Sequence, residues 1–221
     1  MGCLQSTPKD AAVPIPTPAS VSANPVQDVP QVTEDKKADE LPRATFGAGC
    51  YWGTEKYFRH DFGKKNTALG EILDGNVGFM GPADAPENPN YKEVCSGYTG
   101  HVEVYEFGYS GGPVFFEALV RFFFQFHDPT TLKRQGNDVG TQYASVIYCA
   151  DEAQVAICEK VKAELQAHVD AKRITCYTGD TVTTDIRLAT KFYPAHKEHQ
   201  DYLMENPNGY CNHKIRFPEW P

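Results

Sequence analysis

From about residue 43 onward, the hydrophobic and polar positions alternate between the period of a strand and that of a helix. His101–Tyr109 alternates as a strand does, and Val114–Phe126 is apolar on more than one face, as in a well-buried helix. Asp151 begins a second long helix, to about Val169, in which Gln154 completes a capping-box pattern. The other predicted elements are strands at Ala44–Phe46, Glu71–Phe79, Tyr143–Cys149 and Val182–Arg187, a helical turn at Tyr91–Cys95 and a last helix at Ala195–Met204.

Strands and helices alternate along this pattern, and hairpin signals are weak. The sequence therefore predicts an α+β fold, a two-layer sandwich in which helices pack against a mixed sheet. A long irregular C-terminal segment follows the last predicted helix.

The first 42 residues differ from the rest in composition. They are rich in Pro, Val, Ala and Ser and contain no aromatic residue, so they cannot bury enough apolar surface to offset the entropy of ordering. We therefore predict a disordered tail at 1–42 and one domain at 43–221. The first six residues fit the pattern for myristoylation of Gly2, with Cys3 placed for palmitoylation. Two acyl chains would tether the domain peripherally to a membrane, and the alternative is an unmodified cytosolic protein.

Charge and cysteine content restrict the functional classes. A formal net charge of −8 argues against a nucleic-acid-binding surface. No apolar run approaches the ~18 residues that span a membrane, and no signal-peptide core is visible. Seven cysteines without C-x-x-C spacing are typical of a reducing compartment rather than of a disulfide scaffold or a zinc site. We expect a monomeric cytoplasmic protein with no bound cofactor.

Cys50 is the first candidate for chemistry. It stands where an extended run meets a helical pattern, so backbone N–H groups and the helix dipole should stabilise a thiolate and lower the thiol pKa below its usual value of about 8.5. Gly47 and Gly49 allow a tight turn there, and Tyr51 and Trp52 add apolar surface beside the sulfur. From these residues alone, Cys50 is either a nucleophile or one more buried small hydrophobe.

Glu103 is the second candidate. In its alternating strand it shares a face with Tyr105 and Phe107, where desolvation would raise the carboxyl pKa and keep the group protonated near neutral pH. It would then be a proton donor. The alternative is an ordinary strand glutamate at the edge of the sheet.

The segment Gly49–Glu55, G-C-Y-W-G-T-E, resembles the nucleophile motif of type A peptide methionine sulfoxide reductases, usually G-C-F-W-G-x-E. Further blocks follow in the order of that family at Asn88–Gly97, Thr99–Glu103, His127–Pro129, Arg134–Tyr143, Phe192–Gln200 and Asn206–Cys211. This highly specific resemblance implies the same α+β fold. It favours the nucleophile at Cys50 and the proton donor at Glu103 over their structural alternatives.

The resemblance implies a reaction in two thiol steps. Attack of Cys50 on the sulfoxide sulfur, with Glu103 protonating the oxygen, would release methionine and leave a sulfenic acid. Cys211 is the best candidate for the thiol that condenses with it, and no cysteine follows Cys211. We expect thioredoxin or a small dithiol to reduce the resulting Cys50–Cys211 disulfide. The implied substrate is the S epimer of methionine sulfoxide in oxidised proteins and peptides.

The same resemblance implies how the sulfoxide is held. The positions that assist the oxygen in the family are occupied by Tyr91, Asp138 and Tyr143. Tyr51 and Trp52 would cage the methyl group. Tyr51 replaces the more usual Phe, and its hydroxyl either points to solvent or points inward as another donor. His199 also falls on a family motif, where we expect a structural hydrogen bond near the site rather than a metal ligand.

Two other classes of function stay open for comparison. A cysteine hydrolase would need a histidine base for its thiol, whereas the partner predicted here is an acid. A non-catalytic binder of oxidised methionine on a lipid-anchored scaffold would bind sulfoxide without consuming dithiol.

Overall fold

The computed structural model describes residues 41–63 and 68–221. The strands, numbered in chain order, are β1 Arg43–Ala48, β2 Ile72–Met80, β3 Val102–Tyr109, β4 Arg134–Gln135, β5 Asp138–Val139, β6 Ser145–Cys149, β7 Asp185–Leu188 and β8 Tyr193–Pro194. The helices are α1 Tyr51–Lys56, which continues as a π-helical turn over Tyr57–Phe62, α2 Tyr91–Cys95, α3 Pro113–Phe126, α4 Glu152–Asp170 and α5 Tyr202–Glu205. The predicted tail, with Gly2 and Cys3, lies outside the described residues except for its last two positions.

A six-stranded sheet in the order β7-β6-β1-β3-β2-β8 organises the domain. Strands β6 and β7 run parallel, and the other neighbours are antiparallel, so the sheet is mixed. Strands β4 and β5 form a separate two-stranded ladder. The predicted α+β class, with helices packed against a mixed sheet, is confirmed. Within the described ranges no helix is long and apolar enough to cross a membrane.

The two faces of the sheet bury different clusters of side chains. The larger core includes Tyr105 and Phe107 of β3 together with buried residues of α3 and α4, while Val102 and Val104 belong to a smaller cluster. Because strand side chains alternate between faces, Glu103 points to the side of the larger core. The predicted face of Glu103 is therefore confirmed.

The predicted helix at Ala195–Met204 is wrong. A 3₁₀ turn at Lys197–His199 and the short α5 stand there instead, separated by Asp201 in the left-handed region with a φ of 55°. The N–H of Asp201 donates to Glu55 Oε1 at 3.2 Å, and the N–H of Ala195 donates to the carbonyl of Val77. These hydrogen bonds to distant residues stabilise two short helical turns in place of one continuous helix.

Two predicted strands also start too early. Tyr143 lies in a 3₁₀ turn, and β6 begins at Ser145. The N–H groups of Val182 and Thr183 donate to Gln166 Oε1 and to the carbonyl of Pro129, so they are not available to a neighbouring strand, and β7 begins at Asp185.

The capping box predicted at Asp151 forms only in part. The Asp151 side chain accepts from the N–H of Gln154, but Gln154 Oε1 accepts from the N–H of Ala150 rather than from that of Asp151. The Gln154 amide also donates to the carbonyl of Arg43 and to Tyr109 Oη, so it ties the start of α4 to the sheet.

Candidate active site

Cys50 lies between β1 and α1, at the N-terminal end of the helix. Gly49 precedes it with a φ of +96°, and a Cβ at Gly49 would collide with the side chain of Gln135, so glycine is required there. The carbonyl of Cys50 accepts hydrogen bonds from the N–H groups of Gly53 and Thr54 at 3.2 and 3.5 Å. The side chain of Cys50 is only 8% exposed.

Glu103 is the buried acid of this site. It is 2% exposed, and its Oε2 accepts a hydrogen bond from the N–H of Tyr51, the residue after Cys50, at 3.1 Å. Burial raises the pKa of Glu103 to about 8; the Tyr51 N–H opposes this shift, and the charge of Asp138 adds to it. The carboxyl is therefore largely protonated at neutral pH.

The expected lowering of the Cys50 pKa is wrong for the substrate-free site. Burial raises the pKa of the Cys50 thiol, and the Glu103 carboxyl raises it further in the molecules in which it is ionised. A backbone hydrogen bond from Trp52 acts in the opposite direction but is the weaker effect. The turn supplies the stabilising N–H group that the sequence suggested, but desolvation by the surrounding fold outweighs it.

Aromatic rings form one wall of the site. Tyr51 is 1% exposed and lies within ring contact of Phe79 and His199, with centroid distances of 5.8 and 5.7 Å. The ring of His199 stacks on Trp52 at 5.8 Å and on Tyr91 at 4.8 Å. Burial lowers the pKa of His199, so the ring is neutral. Instead of the structural hydrogen bond expected of it, His199 provides stacking, and its Nδ1 is buried without a partner in the described part of the chain.

The hydroxyl of Tyr51 points inward. It is buried without a hydrogen-bond partner among the described residues. Burial raises the pKa of Tyr51, and the charges of Glu103, Tyr91 and Cys50 raise it further, so this hydroxyl lies among the site residues. The inward orientation considered from the sequence is the one that the structure shows.

Tyr91, Tyr143 and Asp138 surround the same acid. Burial raises the pKa of both tyrosines, with a contribution from the charge of Glu103 in each case. Tyr91 is 38% exposed, with its side chain hydrogen-bonded to Cys95, and Tyr143 is half-buried. The structure thus gathers all the residues that the resemblance assigned to the sulfoxide oxygen.

Cys211 lies on the C-terminal segment, close enough to Cys50 that its charge raises the Cys50 pKa. Both are free thiols, and Cys211 is exposed. Burial of its sulfur raises the pKa of Cys211, opposed by the His213 backbone N–H and the charge of Lys56. A cavity of about 420 Å³ adjoins Cys211; it is lined by Lys56, Tyr57, His60, Leu203, Met204, Pro207 and His213.

Sequence reasoning missed four residues of this site. Tyr202 stacks on Trp52 at 3.9 Å. Tyr210 and Asn212 donate hydrogen bonds to Asp138, and His213 is buried beneath the Cys50 turn. Tyr210 lies in a matched block directly before Cys211, which was a usable signal. No local sequence pattern points to Tyr202, Asn212 or His213, because only the tertiary fold brings these residues to the site.

The described part of the chain shows no metal centre at this site. Among residues 41–63 and 68–221, no group of three or more His, Cys, Asp or Glu side chains could hold a metal ion.

The fold and the site define a class of α+β proteins built around a cysteine and a buried acid. The sequence model described as peptide methionine sulfoxide reductase matches residues 42–219. This chain therefore belongs to the peptide methionine sulfoxide reductase family.

Individual relatives agree with that assignment. The peptide methionine sulfoxide reductase MsrA of Ectopseudomonas mendocina is 42% identical over 171 residues, 77% of this chain and 71% of its own. The mitochondrial enzyme of Rattus norvegicus is 38% identical over 88% of this chain and 78% of its own. Among solved structures, reduced Mxr1 from Saccharomyces cerevisiae has a TM-score of 0.67 at 33% identity, covering 84% of this chain and 98% of that one. Methionine sulfoxide reductase A of Corynebacterium diphtheriae has a TM-score of 0.59 at 35% identity, with 77% of each chain covered.

Proposed function

We propose that this protein is a peptide-methionine (S)-S-oxide reductase that returns methionine sulfoxide in oxidised proteins and peptides to methionine. The observation that carries the proposal is the buried carboxyl of Glu103, hydrogen-bonded to the residue that follows Cys50. A protonated acid beside a thiol supplies both groups that sulfoxide reduction needs: a soft nucleophile for sulfur and a proton for oxygen. Membership of the family supports the same substrate class.

In the first step, Cys50 attacks the sulfoxide sulfur while Glu103 donates its proton to the oxygen. The attack forms a bond between the two sulfurs; the S–O bond then breaks as the protonated oxygen passes to the Cys50 sulfur. The bond between the two sulfurs breaks with its electron pair on the methionine sulfur, and Cys50 is left as a sulfenic acid. The proton of the Cys50 thiol replaces the one that Glu103 gives to the oxygen. Glu103 is therefore protonated again at the end of the step, and no net proton is consumed. A Glu103 pKa of about 8 suits this role, because the acid is charged at neutral pH only in a minority of molecules.

The side chains around the site suit both the apolar methyl group and the polar oxygen of a methyl sulfoxide. The indole and phenol rings of Trp52 and Tyr51 offer apolar surface for the methyl group. The Tyr91 and Tyr143 hydroxyls, joined by the inward hydroxyl of Tyr51, serve as donors to the oxygen. Asp138 acts through Glu103, because its carboxylate is already bonded by Tyr210 and Asn212 and its charge raises the Glu103 pKa.

In the second step, Cys211 condenses with the sulfenic acid of Cys50 and water leaves. The disulfide is then reduced by thioredoxin or a small dithiol. The relative access of the two residues supports one point of attack: Cys211 adjoins a cavity of about 420 Å³ and is exposed as a residue with its sulfur partly buried, whereas Cys50 is only 8% exposed. The reductant therefore attacks the Cys211 sulfur, and the thiol of Cys50 is released into its buried site.

A hydrolase finds less support in this geometry. The buried His213 lies under the Cys50 turn, but its Nε2 bonds to the carbonyl of Ala48 and its Nδ1 faces Cys211 rather than Cys50. It does not stand where a general base for Cys50 is needed.

The test supplies separated S and R epimers of a methionine sulfoxide peptide to the full chain, with dithiothreitol or thioredoxin. We expect methionine from the S epimer only. Cys50→Ser should abolish the reaction while the protein stays folded, because a hydroxyl is too weak a nucleophile at sulfur. Cys211→Ser should release one methionine per chain and then stall with thioredoxin. Activity of folded Cys50→Ser, or hydrolysis of an ester without dithiol consumption, would contradict the proposal.

A further inference from the structure

Side-chain hydrogen bonds from Tyr210, Asn212 and His213 hold the segment Tyr210–His213 against the site. Tyr210 Oη donates to Asp138 Oδ1 at 2.9 Å, and Asn212 Nδ2 donates to Asp138 Oδ2 at 2.9 Å. His213 Nε2 donates to the carbonyl of Ala48 at 2.6 Å. Cys211 itself is exposed between these anchored neighbours. The resolving thiol is thus carried by a segment that is fixed on both sides.

The His213 ring is the innermost of these anchors. It is 7% exposed and lies within ring contact of Phe126 and Tyr57, at 5.7 and 6.1 Å. Tyr57 Oη donates to the carbonyl of His213 at 3.3 Å. A Cβ on Gly53 would collide with the ring at Nδ1, so Gly53 of α1 leaves the space that the ring fills. The imidazole is therefore built into the back of the turn that carries Cys50.

The tautomer of His213 follows from its surroundings. Burial lowers its pKa to about 4, so the ring is neutral at pH 7. Because Nε2 faces a carbonyl, it carries the proton, and Nδ1 is left as an acceptor. Cys211 Sγ lies 3.8 Å from Nδ1. The ring thus joins Ala48, two residues before Cys50, to the thiol of Cys211.

Condensation of two thiol sulfurs within one chain depends on orientation. Cys50–S–OH and Cys211–S–H give Cys50–S–S–Cys211 and water; the sulfenic sulfur is reduced, the Cys211 sulfur is oxidised, and the thiol proton leaves in the water. A rigid approach raises the effective concentration of the attacking group. Beyond the segment, the N–H groups of Lys214 and Arg216 donate to the carbonyls of Phe126 and Gln125. Loss of the His213 anchor would therefore loosen the thiol without detaching the chain end.

Building on the proposed function, we infer that His213 is a positioning residue for the resolving step. It is bonded to Ala48 and lies 3.8 Å from Cys211 Sγ, and so it fixes the path by which Cys211 reaches the oxidised Cys50.

The experiment separates the two chemical steps in the full chain. Reduced protein receives one equivalent of a methionine S-sulfoxide peptide, and quenched samples are assayed for methionine and for disulfide. For His213→Ala we expect disulfide formation to be slowed about tenfold more than methionine release is slowed in the same variant. The sulfenic acid should accumulate and be trapped by dimedone. His196→Ala, at an exposed histidine, is the matched control and should behave as the unaltered chain.

Two further variants keep the test decisive if His213→Ala folds poorly. His213→Gln can place an amide N–H near the position of Nε2 and should restore disulfide formation to within about threefold of the unaltered rate. His213→Asn is too short to reach the Ala48 carbonyl and should be slow. Normal disulfide formation in folded His213→Ala or His213→Asn, or no rescue by His213→Gln, would overturn the inference. Absence of methionine release from the unaltered chain would instead overturn the proposed function.

Discussion

At the scale of single residues, Cys50 and Glu103 are two weak acids that burial keeps protonated before substrate enters. The carboxylate of Glu103 would raise the Cys50 pKa further, so ionisation of one opposes ionisation of the other. A sulfoxide oxygen gives the Glu103 proton a place to go. Cys50 and Glu103 are therefore both expected to stay protonated until a sulfoxide is bound, and Glu103 is then expected to transfer its proton to the sulfoxide oxygen.

Glu103→Gln keeps the shape of the side chain but cannot donate a carboxylic proton. We expect the single-turnover rate of methionine release to fall by roughly 10²–10⁴, the usual contribution of a positioned acid. In the unaltered protein, the fraction of protonated Glu103 falls as pH rises through about 8. The loss of rate that this causes should be absent from the pH profile of the variant. If the rate depends on pH in the same way in both proteins, a group other than Glu103 donates the proton to the sulfoxide oxygen.

The same variant should change how stability depends on pH. Burial raises the folded-state pKa of Glu103 from 4.5 to about 8, so the folded protein binds this proton more tightly than the unfolded chain. Its contribution to the free energy of unfolding therefore falls as pH rises from about 4.5 to about 8. Glutamine removes this fall, so Glu103→Gln should raise the melting temperature more at pH 8.5 than at pH 5. An equal change in melting temperature at pH 5 and pH 8.5 would contradict the raised pKa of Glu103 in the folded protein.

Tyr51→Phe removes a buried hydroxyl that has no partner among the described residues. An unsatisfied buried donor costs about 1–3 kcal/mol, so the variant should be at least as stable as the unaltered protein in urea. If the hydroxyl donates to the sulfoxide, kcat/KM should fall by about 2- to 12-fold, the worth of one neutral hydrogen bond of about 0.5–1.5 kcal/mol. An unchanged kcat/KM would show that the oxygen does not use this donor.

At the scale of elements, sequence reasoning succeeded where the pattern was local. The alternation of β3 assigned Glu103 to its face, and the glycine-framed turn located Cys50 before α1. The helix predicted at Ala195–Met204 failed because the left-handed Asp201 and its bond to Glu55 depend on distant contacts. The predicted lowering of the Cys50 pKa was wrong for the same reason. The start of the helix can be recognised in the sequence, but the burial of the thiol depends on distant parts of the chain.

The start of α4 gives a prediction at this scale. Asp151 accepts a hydrogen bond from the N–H of Gln154 at 2.8 Å and is itself exposed. Asp151→Ala should lower the free energy of unfolding by about 0.5–2 kcal/mol, the usual cost of losing an N-cap. Asp151→Ser keeps a capping oxygen and should lose less. Urea titrations of the three proteins measure the difference, and equal midpoints would show that the cap contributes nothing.

At the scale of the whole molecule, the predicted irregular C-terminal segment is packed rather than loose. Arg216 forms an ion pair with Asp128 at 3.4 Å, and the Trp220 ring lies against the guanidinium of Arg121 at 4.7 Å. Cys211, the cysteine proposed to resolve the sulfenic acid, therefore belongs to a segment held along α3. The predicted tail at 1–42 stays a prediction, as does its acylation.

Acylation of the tail can be tested in eukaryotic cells. If Gly2 is myristoylated and Cys3 palmitoylated, the full chain should sediment with membranes, whereas Gly2→Ala should stay in the soluble fraction. Methionine sulfoxide reductase activity should be the same in both fractions, because every residue assigned to the site lies between Cys50 and His213 in the sequence. Equal solubility of the two proteins would show that the anchor does not exist.

The ring of His213 filling the space left by Gly53 has a consequence for synthesis on the ribosome. Cys50 is translated near the start of the domain, whereas His213 is translated after every strand of the sheet. Until residue 213 emerges, the ring that packs against Gly53 is missing, and so is the neighbour 3.8 Å from the Cys211 sulfur. Cys50, the proposed nucleophile, is thus made early and its surroundings are completed last, so a nascent or prematurely terminated chain would carry Cys50 without the His213 ring behind it.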